Sequence, residues 1–206
     1  GSTGQYTAHP LVNLSQIDFD ALKAAFEKGR KHTEAEKLKV AINAKLTAMV
    51  RLNRTRVDYL ARFQQLIDEY NAARLNVDAF FEQLVAFVRE LNVEEQRTIA
   101  EQLSEEELAV FDLLTRPDMQ LSVDEKRQVK AVARELLEAL KRGKLVLDWR
   151  NRQQSRAAVR LTIGEMLDGL PARYTRALYD QKCEVVFQHI YESYFGWRSS
   201  IYAAAA

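Results

Sequence analysis

Residues 34–71 have the sequence EAEKLKVAINAKLTAMVRLNRTRVDYLARFQQLIDEYN, and this stretch decides the class of fold. Its apolar side chains recur with the period of an α-helix and fall on two neighbouring heptad rows. The first row holds Ile42, Met49, Phe63 and Tyr70, and the second holds Leu46, Leu60 and Ile67. A helix over these residues would be roughly 55 Å long at ~1.5 Å per residue. We therefore expect one long helix that projects from a compact body or connects two bodies.

Two polar residues, Asn53 and Arg56, interrupt the apolar rows of this segment. About five heptads with two polar interruptions also fit a coiled-coil arm that pairs with another chain. The pattern leaves two alternatives open. One is a projecting or connecting helix, and the other is a coiled-coil or helical scaffold for oligomerisation.

The rest of the chain also favours helices. Only 7 glycines and 3 prolines occur among 206 residues, fewer than a turn-rich all-β protein requires. Apolar residues at helical spacing predict further helices over about residues 77–91, 93–103, 105–115, 123–142, 153–167 and 176–195. Residues 144–149 alternate weakly and predict a short extended segment. The predicted fold is all-α: the long helix, then a compact multi-helix bundle, with at most one short extended segment.

Several helix starts carry a capping residue followed three positions later by an acid, as in Ser104–Glu107 and Ser122–Glu125.

We divide the chain into four parts. Residues 1–15 are expected to be a flexible extension or a remnant of an expression tag, and they lack the basic start and apolar stretch of a signal peptide. The other parts are a helix plus the long connecting helix (16–72), the C-terminal helical bundle (73–202) and a tail (203–206).

The sequence also excludes several kinds of chemistry. A single cysteine, Cys183, excludes an internal disulfide framework and a multi-cysteine zinc site, and it fits a cytoplasmic setting. No GxxxxGK[ST] loop, HExxH motif or nucleophile elbow occurs, so no catalytic residue, metal site or cofactor is predicted. No apolar run approaches the ~20 residues that span a membrane.

The net charge of +1 conceals three segments of opposite sign. Residues 28–62 hold ten Lys/Arg and three acids (+7), and residues 126–160 hold eleven Lys/Arg and three acids (+8). Between them, residues 90–112 hold eight acids and one Arg (−7). Such segregation indicates either an electrostatically patterned surface for a partner or solvated helix faces.

The last basic segment supplies most of the candidate residues. We predict a surface that binds DNA phosphates or a partner's carboxylates, formed by Lys126, Arg127, Lys130, Arg134, Lys141, Arg142, Arg152, Arg156 and Arg160. Arg152, Arg156 and Arg160 would form one stripe about 12 Å long on a helix that begins nearby. Asp148 would cap this helix, and Trp149 would pack against a neighbouring helix. The alternative is that the arginines pair with the acidic segment of the same domain.

Three stretches of the chain have a distinctive order and spacing. They are LSEEELAVFDLL (103–114), LVLDWRNRQQSRAAVRLTI (145–163) and LPARYTRALYDQKCEVVFQHIYESYFG (170–196). Together they resemble the C-terminal helical region of the R subunit, the motor and restriction subunit of type I restriction enzymes. The first resembles a helix start of that family, the second its "DW" and "R-A-R" pattern, and the third its closing tyrosine-rich helix. The resemblance covers about residues 21–202, and its motifs are structural rather than catalytic.

The resemblance implies a non-catalytic C-terminal part of a larger enzyme that depends on ATP and magnesium. In that family the complete subunit adds a nuclease and motor domains, binds the methyltransferase (M and S) subunits, and translocates and cleaves DNA. Only Asp148, Trp149, Arg156 and Arg160 match a recognisable family pattern, and the resemblance implies that they hold the fold first and serve an interface second. None of the family's catalytic residues has a counterpart here.

Three functions therefore remain open. The first is an assembly module that docks onto methyltransferase subunits and contacts the DNA backbone. The second is a generic helical scaffold for oligomerisation. The third is an enzyme or nucleotide-binding site, in which the arginine stripe holds phosphates beside an aromatic wall near Trp149.

Overall fold

The computed structural model describes residues 13–203. Its regular elements are α1 (Phe19–Lys28), α2 (Lys31–Leu52), α3 (Val57–Asn71), α4 (Val77–Glu95), α5 (Arg97–Glu101), α6 (Glu105–Thr115), α7 (Val123–Lys141), α8 (Gln153–Leu167), α9 (Arg176–Ser193), β1 (Tyr194–Gly196) and β2 (Ser199–Ser200). Short 3-10 helices span Leu14–Gln16, Arg54–Arg56 and Trp149–Asn151. Within the described residues the fold is all-α apart from β1 and β2, as the sequence predicts. No helix among them is both long enough and apolar enough to cross a lipid bilayer.

Most of the predicted extension (1–15) and of the predicted tail (203–206) lies outside the described residues. The end of the extension, from residue 13 onward, is part of the fold. Leu14 is 2% exposed, and its carbonyl oxygen accepts a hydrogen bond of 2.9 Å from the side-chain amide of Asn92.

The predicted single helix over residues 34–71 is wrong, because the chain breaks it between α2 and α3. Asn53 lies at the break, where its Oδ1 accepts hydrogen bonds from the backbone N–H (3.1 Å) and the hydroxyl (2.7 Å) of Thr55. These local bonds compete with helical bonding of the backbone. The Asn53 amide also donates to the buried carboxylate of Asp112 at 2.9 Å. Asn53 and Arg56 are therefore buried polar anchors, 1% and 2% exposed.

The described chain forms two compact units. Unit 1 comprises residues 13–49 and 57–96, and unit 2 comprises residues 50–56 and 97–203. This division differs from the predicted boundary at residue 72, since α3 and α4 pack together within unit 1.

Unit 1 is built around α4, which buries apolar side chains on more than one face. Its core includes Ile42 and Leu46 of α2, Phe63 of α3, and Phe80, Phe81, Leu84, Val88 and Leu91 of α4. Phe81 stacks on Phe26 of α1 with ring centroids 3.9 Å apart, and Phe80 stacks on Tyr70 of α3 at 4.1 Å. Several side chains of the predicted heptad rows are thus already covered within the chain itself.

Unit 2 packs α6, α7, α8 and α9 around one apolar core. The predicted capping boxes are confirmed, because Ser104 exchanges hydrogen bonds with Glu107, and Ser122 with Glu125. The end of α6 is held by Lys182 of α9, a buried lysine whose Nζ donates to two main-chain carbonyls at 2.7 Å each. Burial lowers the pKa of Lys182.

The predicted extended segment at residues 144–149 is wrong. These residues form turns that lead into a 3-10 helix. Leu145 and Trp149 are buried and lie four residues apart, so the spacing is closer to helical than to alternating. The strands come later, because the predicted last helix ends at Ser193 and β1 and β2 then form an antiparallel hairpin.

Candidate partner-docking surface

Trp149 is the anchor of the DW motif in unit 2. Its side chain is fully buried, and its indole Nε1–H donates to the carbonyl oxygen of Tyr194 at 3.0 Å. The indole meets the ring of Phe187 on α9 edge-on, with centroids 6.3 Å apart, so it packs against a neighbouring helix as predicted. The same side chain ties the loop before it (residues 144–148) to the C-terminal hairpin (residues 194–200).

Asp148 does not cap the following helix as predicted. Its backbone is left-handed (φ 59°), and its carboxylate accepts a hydrogen bond from the Asn151 side chain. Instead α8 begins at Gln153, and Arg152 occupies its N-cap position without a capping side-chain bond. Aspartate is one of the few non-glycine residues that tolerate a left-handed backbone, so Asp148 shapes the turn that leads Trp149 into the core.

Arg152, Arg156 and Arg160 do not form a row of free guanidinium groups. Arg156 donates to the main-chain carbonyl of Arg150 at 2.7 Å. Arg160 pairs with Glu184 at 2.8 Å, and its guanidinium lies 3.7 Å from the centre of a buried phenylalanine ring. Arg152 is exposed, and its side chain has no ion pair or hydrogen bond within residues 13–203.

Three predicted residues on α7 are also engaged within unit 2. Lys130 pairs with Glu101 at 2.6 Å, and Lys141 pairs with Glu106 at 2.6 Å. Arg134 donates to a main-chain carbonyl in the turn after α5 at 3.1 Å. Acids of the −7 segment thus neutralise part of the +8 segment, but through Lys130 and Lys141 and not through Arg152, Arg156 or Arg160.

The other predicted residues on α7 stay at the surface. Arg127 pairs with Asp124 at 3.0 Å, and Arg142 pairs with Glu138 at 3.5 Å, all four largely exposed. Such exposed pairs contribute about 0–1 kcal/mol to stability. Lys126 is exposed and has no partner in the described part of the chain.

Large apolar side chains are exposed around the C-terminal hairpin. Leu147 is 77% exposed and Trp197 is 64% exposed, with Val146 and Phe195 at 37% each. We call these four residues the hairpin surface. The loop of residues 144–148 packs against the hairpin. A Cβ placed on Gly196 would lie only 3.6 Å from the Cα of Leu147. Exposed apolar side chains grouped in this way mark sites of interaction with other proteins.

Two side chains of residues 149–150 hold the hairpin surface in place. Trp149 bonds to the main chain of β1, and the guanidinium of Arg150 lies 4.9 Å from the centre of the Phe195 ring. At the tip of the hairpin, Arg198 has a left-handed backbone (φ 57°), and its guanidinium lies 4.3 Å from the centre of the Trp197 ring. The exposed rings of Phe195 and Trp197 therefore lie on a turn that neighbouring side chains stabilise.

Neither Leu147 nor Trp197 is among the candidate residues predicted from the sequence. One signal was available for the tryptophan. Trp197 follows Gly196, which ends the helical pattern, so no helical face could bury it. The exposure of Leu147 was not predicted, because the weak alternation of residues 144–149 suggested an extended segment.

His189 is a buried titratable group of unit 2, only 4% exposed. Its Nδ1 lies 3.3 Å from the Ser193 hydroxyl, and its Nε2 has no hydrogen-bond partner among the described residues. Burial lowers the pKa of His189 to about 4, and the charge of Arg54 adds to the effect. The imidazole is therefore neutral at physiological pH.

We expect unit 2 to lose stability between pH 6.5 and pH 4 because of His189. The unfolded chain takes up a proton near pH 6.5, whereas the folded chain resists protonation down to about pH 4. The contribution of His189 to folding is therefore complete above pH 6.5 and is lost as the pH falls, by roughly 3 kcal/mol. Urea denaturation at about pH 7 and about pH 4 measures the loss. Between these two pH values, the free energy of unfolding should fall by roughly 3 kcal/mol less in His189→Leu than in the wild type. Equal losses in the variant and the wild type would contradict this role of His189.

Metal-ligating side chains are not clustered in the described part of the chain. Within residues 13–203, no group of three His, Cys, Asp or Glu side chains is placed to hold a metal ion. The polar features of unit 2 are instead ion pairs and hydrogen bonds between its own elements.

A known family model matches most of the chain. The family is described as "Type I restriction enzyme HindI endonuclease subunit-like, C-terminal", and the match spans residues 6–194. No curated protein matches the chain, and no solved structure matches it.

Proposed function

The chain belongs to the family of C-terminal domains of type I restriction enzyme HindI endonuclease subunit-like proteins, and from this membership we propose that it is an assembly module. It docks the subunit that translocates and cleaves DNA onto the methyltransferase subunits of the same complex. We place no catalysis and no cofactor in this chain, and we expect ATP and magnesium to act in other parts of that subunit. The single cysteine, Cys183, fits the reducing cytoplasm in which the complex would act.

The hairpin surface is the observation that carries this proposal. Leu147 and Trp197 are large, apolar and mostly exposed, yet they stand on a part of unit 2 that is fixed by the buried Trp149. Burying such side chains against a partner gains about 25 cal/mol per Å² of apolar surface removed from water. A rigid support lowers the entropy lost on binding.

Contact with the DNA backbone is the lesser part of the proposal. Phosphate binding relies on free cations, and Lys130, Lys141 and Arg160 are already paired with acids of unit 2. Lys126 and Arg152, which have no acidic partner in the described chain, would support only weak and salt-sensitive contact.

The alternative of a coiled-coil scaffold loses much of its support. The predicted long helix is broken at Asn53, and Ile42 and Leu46 of its apolar rows are fully buried within unit 1. A continuous seam for a second chain is therefore missing over the described residues 34–71.

Leu147→Glu is expected to weaken binding of this chain to the methyltransferase core of its own system at least tenfold, since a charge at a docking hot spot costs about 2 kcal/mol or more. Biolayer interferometry with the core immobilised measures the affinity. Leu161→Glu is the matched control, because Leu161 on α8 is 64% exposed and lies outside the hairpin surface. The control should bind as the wild type does.

Thermal melting of both variants separates docking from folding. Exposed leucines add little to stability, so both melting temperatures should stay close to that of the wild type. Unchanged affinity of the Leu147→Glu chain would contradict docking through the hairpin surface. A wild-type chain that does not bind the core would contradict the docking function itself.

A further inference from the structure

A groove of about 530 Å³ opens beside the hairpin in unit 2. Its lining includes Lys141, Leu145, Tyr194, Trp197, Arg198 and Tyr202. Apolar and aromatic side chains thus meet Arg198, and Lys141 with its partner Glu106, in one concave place next to the exposed tryptophan. This combination points to an occupant that has both an apolar side chain and negative charge.

The acid in this lining, Glu106, is already neutralised. Its Oε1 accepts a hydrogen bond from the hydroxyl of Tyr194 at 2.9 Å, and its Oε2 pairs with Lys141 at 2.6 Å. The carboxylate and the ammonium cancel each other, so neither sets the charge of the groove. The charge that remains in the lining is that of Arg198.

Uncompensated positive charge surrounds the hairpin and its supporting loop. Arg198 at the tip, Lys144 in the loop and Arg152 after the 3-10 helix have no acidic partner in the described part of the chain. Asp148 is the acid within the same loop, and its carboxylate bonds to an asparagine amide. Arg150, whose guanidinium stacks on Phe195, is the fourth cation of this region. Residues 144–152 and 194–200 together therefore hold four cations and one acid, which gives a net charge of +3.

The backbone at the tip also indicates a surface shaped for contact. Arg198 is neither glycine nor asparagine, yet it has φ 57°. A left-handed backbone at such a residue costs of order 1 kcal/mol and persists only where the surroundings enforce it. The turn holds an exposed tryptophan and an exposed arginine side by side, which are residue types enriched at binding hot spots.

We propose that the hairpin surface takes an acidic segment of the methyltransferase core whose large apolar side chains cover Leu147 and Trp197. This inference rests on the proposed docking function and names the chemistry of its partner. Carboxylates of the segment would face Arg152 and Arg198, where desolvated ion pairs set orientation and slow dissociation. A DNA backbone fits less well, since phosphates offer no apolar group to cover Leu147 and Trp197.

The test is a double charge reversal, Arg152→Asp with Arg198→Asp. Aspartate suits both positions, because Arg152 is an N-cap and Arg198 has a left-handed backbone. We expect at least tenfold weaker binding to the methyltransferase core at about 50 mM salt, and a smaller difference from wild type at about 300 mM salt. Arg74→Asp with Arg176→Asp is the matched control, which makes the same charge change at two exposed arginines outside the hairpin surface and its supporting loop, and it should bind as wild type.

Each outcome decides the proposal. If Leu147→Glu weakens binding but the double reversal binds like its control, the acidic partner is wrong while docking through the hairpin surface stands. If neither change weakens the binding of a chain that does bind the core, both are wrong. A duplex of about 30 base pairs serves as the second probe. If the double reversal abolishes binding to the duplex and leaves binding to the core intact, DNA is the occupant and the proposal is overturned.

Discussion

Replacement of Asp112 by alanine is expected to lower the free energy of unfolding of unit 2 by about 3–5 kcal/mol. The carboxylate is 1% exposed and accepts two hydrogen bonds from the guanidinium of Arg97, at 2.7 and 2.9 Å. It also accepts the amide of Asn53 at 2.9 Å. Alanine removes the acceptor and leaves these donors in a site largely closed to water, which costs more than the bonds themselves are worth.

Urea denaturation followed by circular dichroism measures the effect of Asp112→Ala. Asp124→Ala is the matched control, because Asp124 is an exposed acid whose pair with Arg127 should contribute less than about 1 kcal/mol. A stability of Asp112→Ala within about 0.5 kcal/mol of the wild type would show that the network at the helix break does not hold unit 2 together.

Trp149→Ala is expected to cost about 3–5 kcal/mol, because it empties a fully buried site and removes the bond to Tyr194. Binding to the methyltransferase core should fall as well, since the hairpin loses its anchor. Trp197→Ala should weaken binding to the methyltransferase core as well. Its stability should change little, because Trp197 is 64% exposed.

The two tryptophan variants are informative as a pair. Thermal melting and binding to the core are measured on both, so that each protein controls for the other. A large stability loss in Trp197→Ala, or a negligible loss in Trp149→Ala, would contradict the division between a buried anchor and an exposed contact.

Most of the helices, and the starts of α6 and α7, could be predicted from the sequence because they depend on local signals. The boxes at Ser104 and Ser122 need only residues three positions away, and both are present in the structure. The break at Asn53 could not be found in the same way. Its partner Asp112 lies 59 residues further along the chain, and nothing near Asn53 indicates that its amide will be buried.

The candidate site was predicted only in part, for a related reason. The sequence allowed two fates for the basic residues, and it could not show that Lys130 and Lys141 lie within 2.6 Å of Glu101 and Glu106. Those pairs form only when α5, α6 and α7 come together. Trp149 packs against Phe187 of α9, as expected for a large aromatic side chain that gains most from burial and whose N–H needs a partner.

The hairpin surface was missed because exposure depends on the whole fold. Leu147 and Trp197 look like core residues by type, and the placement of β1 and β2 beside the loop is what leaves them at the surface. Apolar residues that stay exposed among residues 13–203, as these do, are expected where the covering surface belongs to another protein.

Hydrogen exchange of this chain, free and bound to the methyltransferase core, tests the docking surface most directly. We predict that binding slows exchange of the backbone amides of residues 144–152 and 194–200, while the amides at the start of α7, near Lys126, exchange as before. Protection that appears at the start of α7 and leaves the hairpin unchanged would contradict docking through the hairpin surface.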